Sequence, residues 1–136
     1  MSEKLSDDME PSIIVRLRPK WTPDREEVER GYFRAGRGWY EGIADTELMD
    51  SVRAWWRVDS DMIERRRIRY VIAYAAGFTR AVYELESVIG PRESDGRRAF
   101  RLALVESGPV FDLAVGLNGK TIDFHRGSSN PIRYWG

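Results

Sequence analysis

Residues 12–18 alternate in character. Ile13, Val15 and Leu17 are set against Arg16 and Arg18, which predicts a strand half-buried on one face and broken by Pro19. Trp21-Thr22-Pro23-Asp24 then reads as a helix start. Thr22 is the cap, Pro23 takes the first turn, and Asp24, Glu26 and Glu27 complement the helix dipole. Val28, Tyr32 and Phe33 give this helix a short apolar stripe, and the run Ala35-Gly36-Arg37-Gly38 ends it. The glycine-flanked pair Trp39-Tyr40 falls in a loop or short strand. A second helix is predicted with Asp45 or Thr46 as cap. Leu48, Met49, Val52, Trp55 and Trp56 lie on its apolar face, and it ends near Val58, before Asp59-Ser60-Asp61.

From Ile68 the period becomes two-fold. Tyr70, Ile72 and Tyr74 alternate with Val71, Ala73 and Ala75, as in a strand covered on both sides. Gly77 separates it from a strand over 78–85, and the short break predicts an antiparallel hairpin. Residues 90–96 are a turn-and-loop run, 98–106 a further strand, and 110–115 a helical turn. A turn at 117–120 and a final strand over 130–135 complete the pattern. Helices early, strands late and short connections imply an α+β fold. Its sheet is mainly antiparallel, curls into a small, partly open β-barrel and is flanked by two or three helices. The expected organisation is a flexible acidic tail over 1–11 and a single domain over 12–136.

Composition narrows the chemistry. The absence of cysteine removes disulfides, thiolate zinc sites and cysteine nucleophiles. No apolar run is long enough to span a bilayer, and the polar, acidic start lacks the features of a signal peptide. A cytoplasmic protein with no membrane partner and no cofactor is therefore expected. The 22 Lys+Arg balance the 22 Asp+Glu, so any nucleic-acid contact must be local instead of a general basic field. Lysine occurs only at Lys4, Lys20 and Lys120, which makes 19 of those 22 cations arginine, the residue suited to bidentate and stacked contacts. The basic residues fall in blocks, including Arg65, Arg66, Arg67 and Arg69 around Glu64.

No catalytic motif is legible: there is no metal-binding loop, nucleophile elbow or phosphate-binding glycine loop. Gly36-Arg37-Gly38 reads as a turn. The lone His125 could act as a general base beside Asp123, with Lys120 a further candidate, or be a partly exposed loop histidine. The aromatic set is more informative. Trp21, Trp39, Tyr40, Trp55 and Trp56 provide flat faces on which nucleobases stack. On a continuous helix the adjacent Trp55 and Trp56 diverge by about 100°, so one points into the core and the other lies at its border or faces a ligand.

Three stretches resemble the EVE-like domains of the PUA-like superfamily, relatives of the YTH and ASCH domains. They are Arg53-Ala54-Trp55-Trp56-Arg57, the 70–77 run followed by Arg80-Ala81-Val82-Tyr83, and Gly127-Ser128-Ser129-Asn130-Pro131-Ile132-Arg133-Tyr134. The resemblance implies a PUA-like pseudo-barrel of five or six strands and a pocket for a flipped or modified base, in domains commonly joined to nucleases that restrict modified DNA. It implies Trp55 or Trp56 as a stacking wall, Ser128, Ser129 and Asn130 as readers of the base edge, and Arg133 as a phosphate or structural contact. Ser129 stands where the family has Gln, which alters the hydrogen-bond pattern offered to the base.

The expected function is thus a non-catalytic nucleic-acid-binding module that holds a flipped or modified base of DNA or RNA in an aromatic pocket. A lone module of this kind would work with a protein partner that carries the effector activity. Its expected contact residues are Trp39, Tyr40, Arg53, Trp55, Trp56, Ser128, Ser129, Asn130 and Arg133. The alternatives are a small hydrolase or ribonuclease of the ASCH kind, using Lys120, Asp123 and His125, and a protein-interaction domain with exposed Trp.

Overall fold

A computed structural model describes residues 10–115 and 131–135. In chain order these form β1 (Ser12–Leu17), β2 (Thr22–Glu29), β3 (Tyr32–Arg37), α1 (Asp45–Arg53), α2 (Ser60–Arg65), β4 (Tyr70–Ala75), β5 (Phe78–Ile89), β6 (Ala99–Val105), α3 (Pro109–Val115) and β7 (Ile132–Trp135). The fold is α+β. A five-stranded sheet in the order β6-β5-β4-β1-β7 is antiparallel except where β1 runs parallel to β4, and β2-β3 form a separate two-stranded sheet. The expected curl into a barrel is not seen among the described residues: β6 and β7 are the two edges of an open sheet.

β1 is buried on both faces, not on one. Ile13, Val15 and Leu17 pack with Leu48 and Val52 of α1 and Ile63 of α2, while Ile14 packs with Val110 and Ala114 of α3 on the other side. Parallel pairing explains this double cover. β1 can reach β4 only through a long crossover, and that crossover carries α1 and α2 over one face. The hairpin β4–β5 forms as the two-fold pattern predicts, but β5 runs on past Leu85 to Ile89 through a register shift between Leu85 and Ser87. The helical turn near 110–115 and the closing strand are present as α3 and β7.

Three helical expectations need correction. Residues 22–34 are a β-hairpin, not a helix. Arg34 of β3 lies opposite Glu26 of β2 and binds it at 2.8 Å, so charges that suit a helix surface are satisfied across strands instead. Gly31 (φ 81) makes the turn. Second, α1 is capped by neither Asp45 nor Thr46. Its N-cap is Ala44, with no side-chain bond, and Asp45 lies in the first turn. It also ends at Arg53, not near Val58. Ala54 is extended, its carbonyl accepts from Arg34 Nη1 at 2.5 Å, and Trp56 exchanges backbone hydrogen bonds with Arg98 at 2.8 and 2.9 Å. Third, Asp59-Ser60-Asp61 starts a helix. Asp59 caps α2 by accepting from the amides of Asp61 and Met62 at 2.9 and 3.2 Å. Gly36 and Arg37 belong to β3, and Gly38 (φ 94) follows it.

Candidate functional site

The strand-to-loop junctions after β1 and β3 bring two aromatic rings together, Trp21 half-buried and Tyr40 exposed. Trp39 N donates to Arg18 O at 2.8 Å, which fastens the 38–44 connector to the one that leads from β1 into β2. Ser51 of α1 locks the same point from beneath, donating to Gly38 O and accepting from Gly38 N, each at 2.7 Å. Trp21 and Tyr40 then meet edge to face, ring centres 5.8 Å apart. Tyr40 is 37% exposed, and its hydroxyl donates to Glu47 at 2.5 Å, a bond that raises its pKa above the ordinary phenol value. The six-membered ring of Trp21 lies against Gly36, where a Cβ would collide with it. Arg18 and Lys20 are exposed on the same connector, and neither pairs with a carboxylate of the described residues. Arg37 is exposed too, 3.8 Å from Asp24.

The other tryptophans are arranged differently. Trp39 is 8% exposed and part of the main core, and the Arg80 guanidinium lies 4.2 Å from its ring centre. Trp55, also 8% exposed, packs with Val28, Ala54 and Ala99 and is covered by Arg92 at 4.6 Å. Trp56 is half-buried against the main core and donates Nε1–H to Val52 O at 2.7 Å. The pair is indeed split, one ring to each cluster, but by an extended segment and not by a helical turn.

Arg53 lies over the Tyr32 ring at 4.1 Å, with its Nη2 3.0 Å from Met49 Sδ. Tyr32 donates to Asp50 Oδ1 at 2.5 Å, while Asp50 Oδ2 accepts from Ala35 N at 3.0 Å. Burial first, and then the Asp50 hydrogen bond, push the Tyr32 phenol up to about 12. Arg133, opposite Ile14 in the sheet, stacks 5.4 Å from the Trp135 ring of its own strand. Ser128, Ser129 and Asn130 lie outside the described residues, as do Lys120, Asp123 and His125.

Sequence reading missed one further group. Arg34, 4% exposed, reaches Glu26, Asp24 (3.3 Å) and the Ala54 carbonyl. Glu26 also binds Arg92, whose Nε and Nη2 grip the two oxygens of Asp95 at 2.8 and 2.9 Å. The Arg92 hydrogen bonds hold the Asp95 carboxyl well below its usual range. Trp55 Nε1, Arg34 Nε and Arg53 Nε are buried donors that meet no acceptor among the described residues. Nothing in the 90–96 loop sequence marks Arg92, since its partner Glu26 is 66 residues away. Trp21 was visible in the aromatic set, but its place beside Tyr40 depends on a hairpin that the sequence disguises as a helix.

Among the described residues no group of three or more His, Asp or Glu could hold a metal ion. No helix among them is long and apolar enough to cross a membrane. The molecule is thus an α+β domain in which arginine faces several aromatic rings, Tyr32, Trp39 and Trp55 among them, and in which the exposed Tyr40 stands beside the half-buried Trp21. No family model matches the chain, and no curated protein or solved structure matches it.

Proposed function

We propose that this domain is a nucleic-acid-binding module that holds an unpaired or modified base by stacking. The carrying observation is the edge-to-face pair of half-buried Trp21 and exposed Tyr40, beside the exposed cations Arg18 and Lys20, which no described carboxylate neutralises. Flat rings flanked by cations are what single-stranded nucleic acid needs, since bases stack while phosphates meet the positive charge. The resemblance of residues 53–57, 70–83 and 127–134 to EVE-like domains supports the same class of ligand and the finer PUA-like assignment of the fold. A domain of this kind recruits a partner's effector activity to the strand that it reads.

Titration with plain and base-modified single-stranded oligonucleotides, followed by tryptophan fluorescence, tests the reading. Binding is expected, with a preference for at least one modified strand. Trp21→Ala and Tyr40→Ala are each expected to weaken it by about tenfold, the lower end of one lost base stack at roughly 1–3 kcal/mol. Equal affinity of both variants and the wild type would remove this corner from the interface, and no binding by the wild type would end the proposal.

A further inference from the structure

The surroundings of Trp55 are those of an occupied stacking site. The Arg92 guanidinium covers the indole at 4.6 Å from its centre. A guanidinium is planar and delocalised, and it lies on an aromatic face as a base does. Beyond the ring edge, Nε1–H is buried and has no acceptor among the described residues, whereas a buried indole N–H ordinarily finds one. We propose that Trp55 is a closed binding site for one nucleotide, in which Arg92 is the resident occupant that the base displaces. The base takes the guanidinium's place on the ring face. A sugar or phosphate oxygen of the same nucleotide supplies the acceptor that Nε1 lacks. The proposal rests on the nucleic-acid reading above.

The ion pairs around Arg92 are arranged so that its departure strands no charge. Arg92 is held twice, by Asp95 within its own loop and by Glu26 of β2 at 2.6 Å. When the guanidinium leaves, Asp95 goes with it and Glu26 keeps Arg34 at 2.8 Å. The loop is built to move as a unit. Arg92 N donates to Arg97 O and Gly96 N to Arg92 O, each at 2.9 Å, and left-handed glycines stand at Gly90 (φ 104) and Gly96 (φ 73). A base must therefore remove one ring contact and one ion pair before it can bind, so the affinity seen in the wild type is reduced by the closed state.

The test uses a short single-stranded oligonucleotide that carries one 2-aminopurine, whose emission falls when it stacks on an indole. Arg92→Ala is expected to bind this probe about three- to tenfold more tightly than the wild type, with deeper quenching. Arg92→Lys keeps a cation for Glu26 and Asp95 but loses the planar stack, so its affinity should fall between the two. In a double variant that adds Trp55→Phe the extra quenching should shrink. Circular dichroism establishes that each variant is folded, and if Arg92→Ala does not fold, Arg92→Lys alone decides. A wild type that binds while the folded Arg92 variants bind equally or more weakly overturns the occupant role and leaves the surface site intact. Loss of binding in every protein, the wild type included, overturns both.

Discussion

Arg67 adopts a left-handed backbone (φ 52) immediately after α2. Its amide donates to Glu64 O at 3.1 Å and that of Ile68 to Ile63 O at 3.0 Å, the hydrogen-bond pair of a Schellman helix end, in which glycine is the favoured residue. An L-side chain pays about 1–2 kcal/mol in this conformation, and glycine returns part of that in backbone entropy. Arg67→Gly is therefore expected to stabilise the fold by about 0.5–1 kcal/mol, measured as a higher urea midpoint with unchanged slope. An unchanged or lower midpoint would show that the arginine side chain compensates its own strain. Gly38 is the opposite case. At φ 94 a Cβ would run into the Lys20 carbonyl, which is backbone and has little room to yield. Gly38→Ala should destabilise by at least about 2 kcal/mol and loosen the seat of Trp39 and Tyr40, visible as a red-shifted tryptophan emission.

The element that behaves least like its sequence is the β2–β3 hairpin. It shares no strand pairing with the main sheet, and its apolar anchors are few, chiefly Val28 and Tyr32. Polar clasps hold it: Arg34 on Ala54 O, Tyr32 and Ala35 on Asp50, Glu26 on Arg92, and Glu29 on Arg101. Hydrogen bonds from Arg101 and Arg92 lower the pKa values of Glu29 and Asp95 from ordinary values of 4.5 and 3.8. Lowered values in the folded state mean that this stabilisation is complete above the unfolded values and is lost as pH falls through the folded ones. The phenol of Tyr32 moves the other way, from 10.0 up to about 12, so its contribution is intact below pH 10 and fades as pH rises toward 12. Amide exchange should therefore show the Glu29 end of the hairpin losing protection as pH falls below 4.5 while β4 and β5 keep theirs. Simultaneous loss throughout would mean that the clasps are not what holds the hairpin.

This hairpin also marks where sequence reading reaches its limit. The two-fold pattern of β4 and β5 is written in neighbouring residues, so strand, turn and pairing are all legible there. Residues 22–34 offer charge in place of a pattern, and a cap, a proline and three acids fit a helix well. Their real partners, Ala54 and Arg92, are 20 and 66 residues distant, and tertiary pairing overrides local propensity. Trp55 and Trp56 pack in different clusters, and the segment is extended because Arg34 and Arg98 claim its backbone. Of the candidate site, the aromatic inventory was legible. Which rings are open was not, because the arginines that cover Trp39 and Trp55 come from β5 and the 90–96 loop.

At the scale of the whole molecule, the balance of charge sets how binding must respond to salt. With equal numbers of cations and anions the domain has no long-range field to gather a polyanion, so attraction depends on the few cations that touch phosphate. Around Trp21 and Tyr40 these are Arg18, Lys20 and Arg37. Each phosphate neutralised on a single strand contributes about −0.7 to the slope of log affinity against log salt, so three contacts predict a slope of about −2. Oligonucleotide titrations across a range of salt concentrations measure it directly. The second basic group, Arg65, Arg66, Arg67 and Arg69, surrounds the end of α2, and only Arg69 there approaches a described carboxylate, Glu10 at 4.0 Å. If the strand also crossed that group, seven contacts would steepen the slope to about −5. A shallow slope that Arg18→Gln and Lys20→Gln flatten further, and that Arg66→Gln leaves alone, fixes the ligand at the aromatic corner. A steep slope that responds to Arg66→Gln instead moves the interface to the end of α2.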